Sequence, residues 1–503
     1  MKKIQQLYIT ISVLCLLAIV LGSCSAVPKG TLTIAVAESK PGSKKDPYAH
    51  SLYAGAKLAA DHINELGGVN GLVVKIVPYA DNNDPKLAAQ NAQTIVESNA
   101  SAVIGHSSSE SSSAAAPIYA LADLPVVNAS PVSFELISAY PNFFNISYTT
   151  EQQSADLANY TVKSLGYLNA SVVFSDDDFG HTLTKKFENT FHGLGGKITL
   201  HESIPVTNGG VQQKDLDAIV AKLFALDPQA NGPGVLFIAA NGNDSAELVI
   251  ALKNRGFGSP IIGADNLSTL SFIQRIQKES GEQARPGYFT DGIISTRALL
   301  PDSARGFASQ FVRDYQQAYP NFPVSNSAAR GYDAALAIFR AVQNSHINNI
   351  DGQQSRAAVE HALRDMNDPK TAFYGVTGPL YFGQDRNAVR QVLFSYYQYG
   401  NMISAPTQYE PILLTENVQD LKKQLADGLI IPVDGHYVYV TNVIYTGMDM
   451  IEVRELDQKA STYTADFYLW FRYKPQPDKP SFQPENIVFT NAESINSKDV
   501  VRE

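Results

Sequence analysis

The sequence predicts an α/β protein built from two similar units with parallel sheets, followed by a small β-rich module. Three features carry that prediction. Apolar strand-like runs alternate with helical stretches from about residue 31, the same alternation starts again near residue 172, and beyond about residue 399 it gives way to strand-rich runs with aromatics. Strand, helix, strand alternation implies parallel strands joined by right-handed crossovers. With 503 residues, 44% hydrophobic and 17% charged, the chain is long enough to bury a large core and to hold more than one domain.

Residues 1–23 read as an export signal. Lys2 and Lys3 form a positive n-region, and the apolar run 9–21 is too short to span a bilayer comfortably. The run ends in Leu21-Gly22-Ser23-Cys24, which resembles the lipobox of bacterial lipoproteins, where the cysteine thiol takes a diacylglycerol. Cys24 is therefore the expected lipidation site and mature N-terminus of a periplasmic or cell-surface lipoprotein. An ordinary signal peptide, or an uncleaved anchor with Cys24 incidental, is the alternative. Cys15 falls inside the apolar run, so the mature chain is expected to hold no internal disulfide.

The first strand is expected over residues 31–36. A helix follows over 51–66, with Leu52, Ala56, Ala59, Ala60 and Ile63 at helical spacing, and stops at Gly67-Gly68, where glycine can take a left-handed cap. A strand over 72–77 precedes Asp84-Pro85, a cap residue and a first-turn proline that open a helix running to about Ser98. The strand 102–104 closes this unit's clearest part. The second unit repeats the pattern: strands over 172–174, 197–202, 235–239 and 260–263, with helices over 182–191, 213–224 and 245–255. Two long helices, 307–319 and 328–343, must then pack on one of the existing sheets, so the units are expected to be discontinuous. A short helix over 418–427 and strands over 437–456 and 462–473 complete the chain.

A formal net charge of -10 argues against nucleic acid as a partner, since phosphate recognition needs a concentrated Lys/Arg surface. There is no HExxH, Walker loop or GxSxG, and the nine histidines show no metal spacing, so neither an enzyme nor a cofactor or metal site is expected. Asp176-Asp177-Asp178 lacks the other ligands of a calcium loop and reads as a solvated turn.

Several stretches up to about Tyr399 resemble the type I periplasmic binding proteins, in particular the leucine/isoleucine/valine-binding family of ABC importers. They are residues 53–59 (YAGAKLA), 63–71 (INELGGVNG), 81–85 (DNNDP) and 104–109 (IGHSSS), then Asn128-Ala129-Ser130-Pro131, Asp178-Phe179-Gly180, Gly195-Gly196 and Gly378-Pro379-Leu380-Tyr381-Phe382, in the family's order. The resemblance implies two Rossmann-like lobes joined by three crossovers near Tyr148, Ile294 and Gly378, with ligand held between them. Lobe 1 would comprise residues 30–148 and 295–378, lobe 2 residues 149–294 and 379–400, then a linker with a short helix over 401–435 and the β-rich module over 436–503.

Candidate ligand residues follow from both sources. Residues 105–113 end a strand and start a helix rich in serine, where backbone amides and hydroxyls converge and the helix dipole favours an anion. The resemblance assigns Ser109 to a ligand carboxylate, with Ser133 at the same end and Glu110 and Val132 beside them; the alternative is that the serines cap the helix and solvate a loop. Asp265, after Ile261-Ile262-Gly263-Ala264 at a strand's carboxyl edge, could accept a ligand ammonium or cap the helix beginning at Asn266. The family commonly has Glu there. Tyr48 aligns with a rim aromatic. Phe179 stands where the family often has Tyr, and Asn241 where another aromatic is usual; core packing and a turn are their respective alternatives. These departures leave an amino acid or a close relative as the expected ligand, with ABC permease subunits as the expected partners.

Residues 442–455 and 464–473 alternate along strands and resemble the opening strands of the extracellular domain of pentameric ligand-gated ion channels. Trp470, the only tryptophan, is expected as a core anchor of that module. A ligand-sensing ectodomain coupled through this module is the competing function, and an enzyme acting on small amides is a third.

Overall fold

The computed structural model describes residues 30–40, 51–207, 210–226, 232–345, 353, 355–414 and 418–473. The export segment with Cys24, and Tyr48, lie outside the described residues. Lobe 1 is built on a sheet of parallel strands β1 (Gly30–Glu38), β2 (Leu72–Ala80), β3 (Ala102–Gly105), β4 (Val126–Asn128) and β5 (Phe143–Asn145), in the order β2-β1-β3-β4-β5. Strand side chains alternate faces. Ile34 and Val36 therefore join one core with helix α1 (Leu52–Glu65), while Ala35 and Ala37 join another with helices α2 (Pro85–Glu97) and α3 (Ser109–Leu121). Asp84 accepts hydrogen bonds from the amides of Lys86 and Leu87 at the start of α2, and Gly67 and Gly68 terminate α1 at φ 97° and 79°.

Lobe 2 repeats the order. After helix α4 (Phe134–Ala139) and helix α5 (Thr150–Asn159) come β6 (Asn169–Ser175), helix α6 (Asp178–Gly193), β7 (Lys197–Ile204), helix α7 (Gln213–Ala225), β8 (Val235–Ala239), helix α8 (Gly242–Asn254), β9 (Ile261–Gly263) and β10 (Ile294–Arg297). The parallel part of the sheet runs β7-β6-β8-β9-β10, the same winding as in lobe 1, and β13 (Leu393–Gln398) and β14 (Asn401–Ser404) extend it antiparallel. The long helices, α11 (Gly306–Ala318) and α12 (Asn326–Asn344), return to lobe 1, where α12 packs on α1.

Several boundaries differ from those the sequence suggested. Strand β10 lies in the second sheet, so lobe 1 resumes after Arg297. It then continues past Gly378, since Asn387 still bridges to Asn145 of β5 and the Arg390 side chain bonds the Ile146 carbonyl. The span 401–435 is mostly not a linker. Tyr399 and Gly400, at φ 51° and 71°, make a tight hairpin turn that returns the chain into lobe 2's sheet as β14. Strands β15 (Thr407–Pro411), β16 (Ile430–Val433) and β17 (His436–Asn442) then form a small sheet on lobe 2, burying Tyr409, Val433 and Val438 against Tyr160 and Phe394. The run 437–456 is two strands in two sheets, with β17 in this layer and β18 (Tyr445–Asp457) paired with β19 (Thr462–Arg472) as a separate ribbon. Trp470 is not a core anchor. It is 54% exposed and lies across Gly447 of the opposite strand. Among the described residues no helix is long and apolar enough to cross a membrane.

Candidate functional site

In open α/β sheets the ligand crevice lies at the carboxyl ends of the strands. At the end of β3, a side chain at Gly105 would stand 2.1 Å from the Ala37 carbonyl oxygen, so only glycine lets β3 lie this close to β1. The loop beyond it rests on a buried polar stack. His106 Nδ1 lies 2.6 Å from Asp81 Oδ2 and its Nε2 lies 3.1 Å from the Tyr119 hydroxyl. The Ser107 hydroxyl donates to Asn83 Oδ1 and accepts from the Ser39 amide, each at 3.0 Å.

The serine run divides its work along α3. Ser108 is the N-cap, accepting from the Ser111 amide, which leaves Ser109 and Glu110 half-buried in the first turn. The Ser111 and Ser112 hydroxyls are buried and have no partner among the described residues. Buried hydroxyls are normally satisfied, so two orphans at a helix N-terminus fit a group supplied from outside the chain. Ser133 caps α4, accepting from Leu136, while Val132 is buried and its carbonyl accepts from the Thr150 amide at 3.2 Å.

Opposite stands the N-terminus of α6. Asp177 caps it, accepting from the Gly180 amide and the Ser175 hydroxyl at 2.8 Å each, and Asp176 pairs with His181. These roles account for Asp176 and Asp177, and the described residues hold no group of three metal-ligating side chains. Burial pushes the Glu110 carboxyl above its usual range, and the charges of Asp177 and Asp178 add to the shift. Phe179 is half-buried against lobe 2's core, and Asn241 caps α8, with its carbonyl oxygen accepting from the Asp244 amide and its amide donating to Asp244 Oδ2 at 2.6 Å. Asn241 is thus committed within its own helix.

The cap role expected for Asp265 is not what the structure shows. The turn after β9 has no side-chain cap, and Asp265 Oδ2 instead meets both terminal nitrogens of Arg330 at 3.2 Å. Arg330 is buried, lies 4.7 Å over the Tyr148 ring, and has an Nε without a partner among the described residues. Sequence reasoning missed Arg330. The signal available was a lone arginine inside the apolar stretch Ala328-Ala329-Arg330-Gly331 of a long helix, where an unpaired charge cannot simply be buried.

A cavity of about 460 Å³ is remote from these groups. It lies between α12, helix α13 (Ser355–Arg364) and the hairpin β11 (Phe373–Gly375) and β12 (Gly378–Leu380), with Arg340 and His361 at its walls.

A profile of the periplasmic binding protein family matches residues 31–399. Among curated proteins, the chain is 26% identical over 224 residues to an amino acid binding protein of Pseudomonas aeruginosa, covering 44% of this chain and 57% of that one. It is 27% identical over 177 residues to a leucine-, isoleucine-, valine-, threonine- and alanine-binding protein of the same organism, covering 35% and 46%. The chain thus spans about half the length of the curated relatives it matches. The structure superposes on a branched-chain amino acid transporter substrate binding protein of Streptococcus pneumoniae in complex with isoleucine, with TM-score 0.61, 22% identity, and 74% of this chain and 97% of the other covered. A solute binding protein of R. palustris in complex with benzoate gives TM-score 0.60 at 18% identity, covering 75% and 95%.

Proposed function

Because this chain belongs to the periplasmic binding protein family, we propose that it captures an amino acid or a related small polar ligand between its lobes and delivers it to an ABC importer, as an exported lipoprotein anchored through Cys24. The observation that carries this reading is the first turn of α3, where the buried Ser111 and Ser112 hydroxyls have no partner among the described residues, beside the half-buried Ser109. A carboxylate there would accept from these hydroxyls at a helix N-terminus, where the helix dipole favours an anion. Ser133, on the neighbouring α4, keeps a hydroxyl proton to donate while its oxygen caps that helix. Binding would favour the closed arrangement of the lobes and so present a permease-facing surface.

The test is thermal unfolding of the protein without its first 23 residues across amino acids, amides and urea. A specific ligand at about 100 times its Kd adds about 2.7 kcal/mol of stability and raises Tm. If no member of these classes shifts Tm, the amino-acid reading fails. Ser109→Ala should weaken a confirmed ligand about tenfold, and unchanged affinity would remove Ser109 from the site. The β18–β19 ribbon supports a second reading, a sensory ectodomain that passes closure to a partner, because apolar side chains remain exposed on both of its faces.

A further inference from the structure

Asp265 lies in the turn after β9 in lobe 2, whereas Arg330 lies in α12 of lobe 1, so their ion pair spans the two lobes. The Arg330 side chain is 4% exposed and both of its terminal nitrogens share one oxygen of Asp265. A guanidinium carries five N–H donors in one plane and cannot shed its charge, so Nε, which has no partner among the described residues, is a donor open to an acceptor. Two further buried guanidiniums, Arg297 and Arg390, lie near enough to repel Arg330. Arg297 bonds the Leu299 and Val324 carbonyls, and Arg390 bonds those of Ile146 and Pro379 and lies 3.9 Å from the buried Asp333 carboxylate. Asp265 is therefore already paired with a buried guanidinium. An ammonium arriving at Asp265 would have to displace that guanidinium, whereas an acid group meets a donor that has no partner among the described residues.

We propose that the cleft selects its ligand through an acidic group held by Arg330, with Asp265 orienting the guanidinium, so that the ligand is a small organic acid whose amino group is dispensable. This inference rests on the solute-binding reading above and adds Arg330 to the groups that hold the ligand's acid end. Tyr148 holds the guanidinium plane from below, and Asp265 holds its terminal nitrogens, which leaves the edge bearing Nε for the ligand.

Calorimetric titration of the full chain with matched sets tests it: leucine, isocaproate and isoamylamine; phenylalanine, phenylpropanoate and phenethylamine; alanine, propionate and ethylamine. In the set that fits the cleft, the acid is expected to bind within about tenfold of the amino acid, and the amine to bind not at all. Arg330→Gln should weaken acid and amino acid alike by about 10- to 100-fold, with Arg330→Lys losing less. Asp265→Asn, at a less buried position, should lower both by the same factor and so keep their ratio. An ammonium acceptor at Asp265 would instead make that variant lose the amino acid and spare the acid, which overturns the inference. Amino acids that bind while every acid fails overturn it too, and leave the solute-binding reading standing. A panel with no binder sinks both.

Discussion

Glu38, the last residue of β1, accepts hydrogen bonds from the Leu52 and Tyr53 amides at 2.8 Å, the first two of α1. Burial nevertheless pushes its carboxyl up to about 8 from 4.5, against the pull of those amides and with Asp81 adding to the rise. A raised carboxyl pKa means that the fold holds the proton more tightly than the unfolded chain does. The stabilisation is complete below about 4.5 and is lost as pH climbs through about 8. Glu38→Gln keeps the shape without the titration. In urea unfolding from about pH 5 to 8, wild-type stability should fall relative to the variant by up to about 1.4 kcal/mol per pH unit; parallel profiles for the two proteins would contradict the burial argument. At this scale the sequence was readable wherever a side chain acts on its own neighbours: Asp84 capping α2 and Gly67-Gly68 ending α1 stand as expected. Asp265 was not readable, because its partner Arg330 lies 65 positions away and nothing local distinguishes a cap, an ammonium site and an interlobe ion pair.

The helices α1 and α12 approach through glycine. A methyl group on Gly55 would stand 1.8 Å from the Ala328 carbonyl oxygen, and one on Gly331 would stand 2.1 Å from that of Leu52. These obstacles are backbone, which cannot rotate away, so Gly55→Ala should force the helices apart and cost about 2 kcal/mol or more despite alanine's better helix propensity. A drop in denaturation midpoint with unchanged m-value would register it, whereas an unchanged midpoint would mean that the helices can separate freely. Neither glycine announces this role in the sequence, since each sits in the middle of an otherwise regular helical pattern. The regular α/β elements were legible because periodicity is local; β8 occupies the residues 235–239 that the sequence suggested. The strands β13 to β17 were obscured for the opposite reason. They are short, β13 and β15 pair antiparallel with strands well separated in the sequence, and the turn that directs β14 back into lobe 2 depends on Tyr399 adopting a positive φ that its residue type does not advertise.

At the scale of the whole molecule, two lobes of the same winding carry an appended β layer and a ribbon, and these additions differ in how they are held. The β15–β17 layer is fused to lobe 2's core through Tyr409, whereas the ribbon is tied at its base. There the Tyr445 hydroxyl lies 2.9 Å from Asp302 and 2.8 Å from the Ser404 carbonyl, and Arg472 reaches Gln398 at 3.2 Å. Beyond the base, Met448 and Met450 face Leu469 and Phe467 on one side, while Tyr468 and Trp470 stand on the other. A two-stranded ribbon has too little to bury to be stable alone, and its open edges and apolar faces favour association. A chain ended at Val443 loses those ties, which are rim hydrogen bonds together worth about 1–3 kcal/mol. It should therefore keep a cooperative unfolding transition and the full chain's affinity for any confirmed ligand. Sedimentation at rising concentration should show less self-association than for the full chain, because both apolar faces are gone. If the shortened chain instead loses the ligand, the ribbon contributes to closure, and the sensory reading gains over transport.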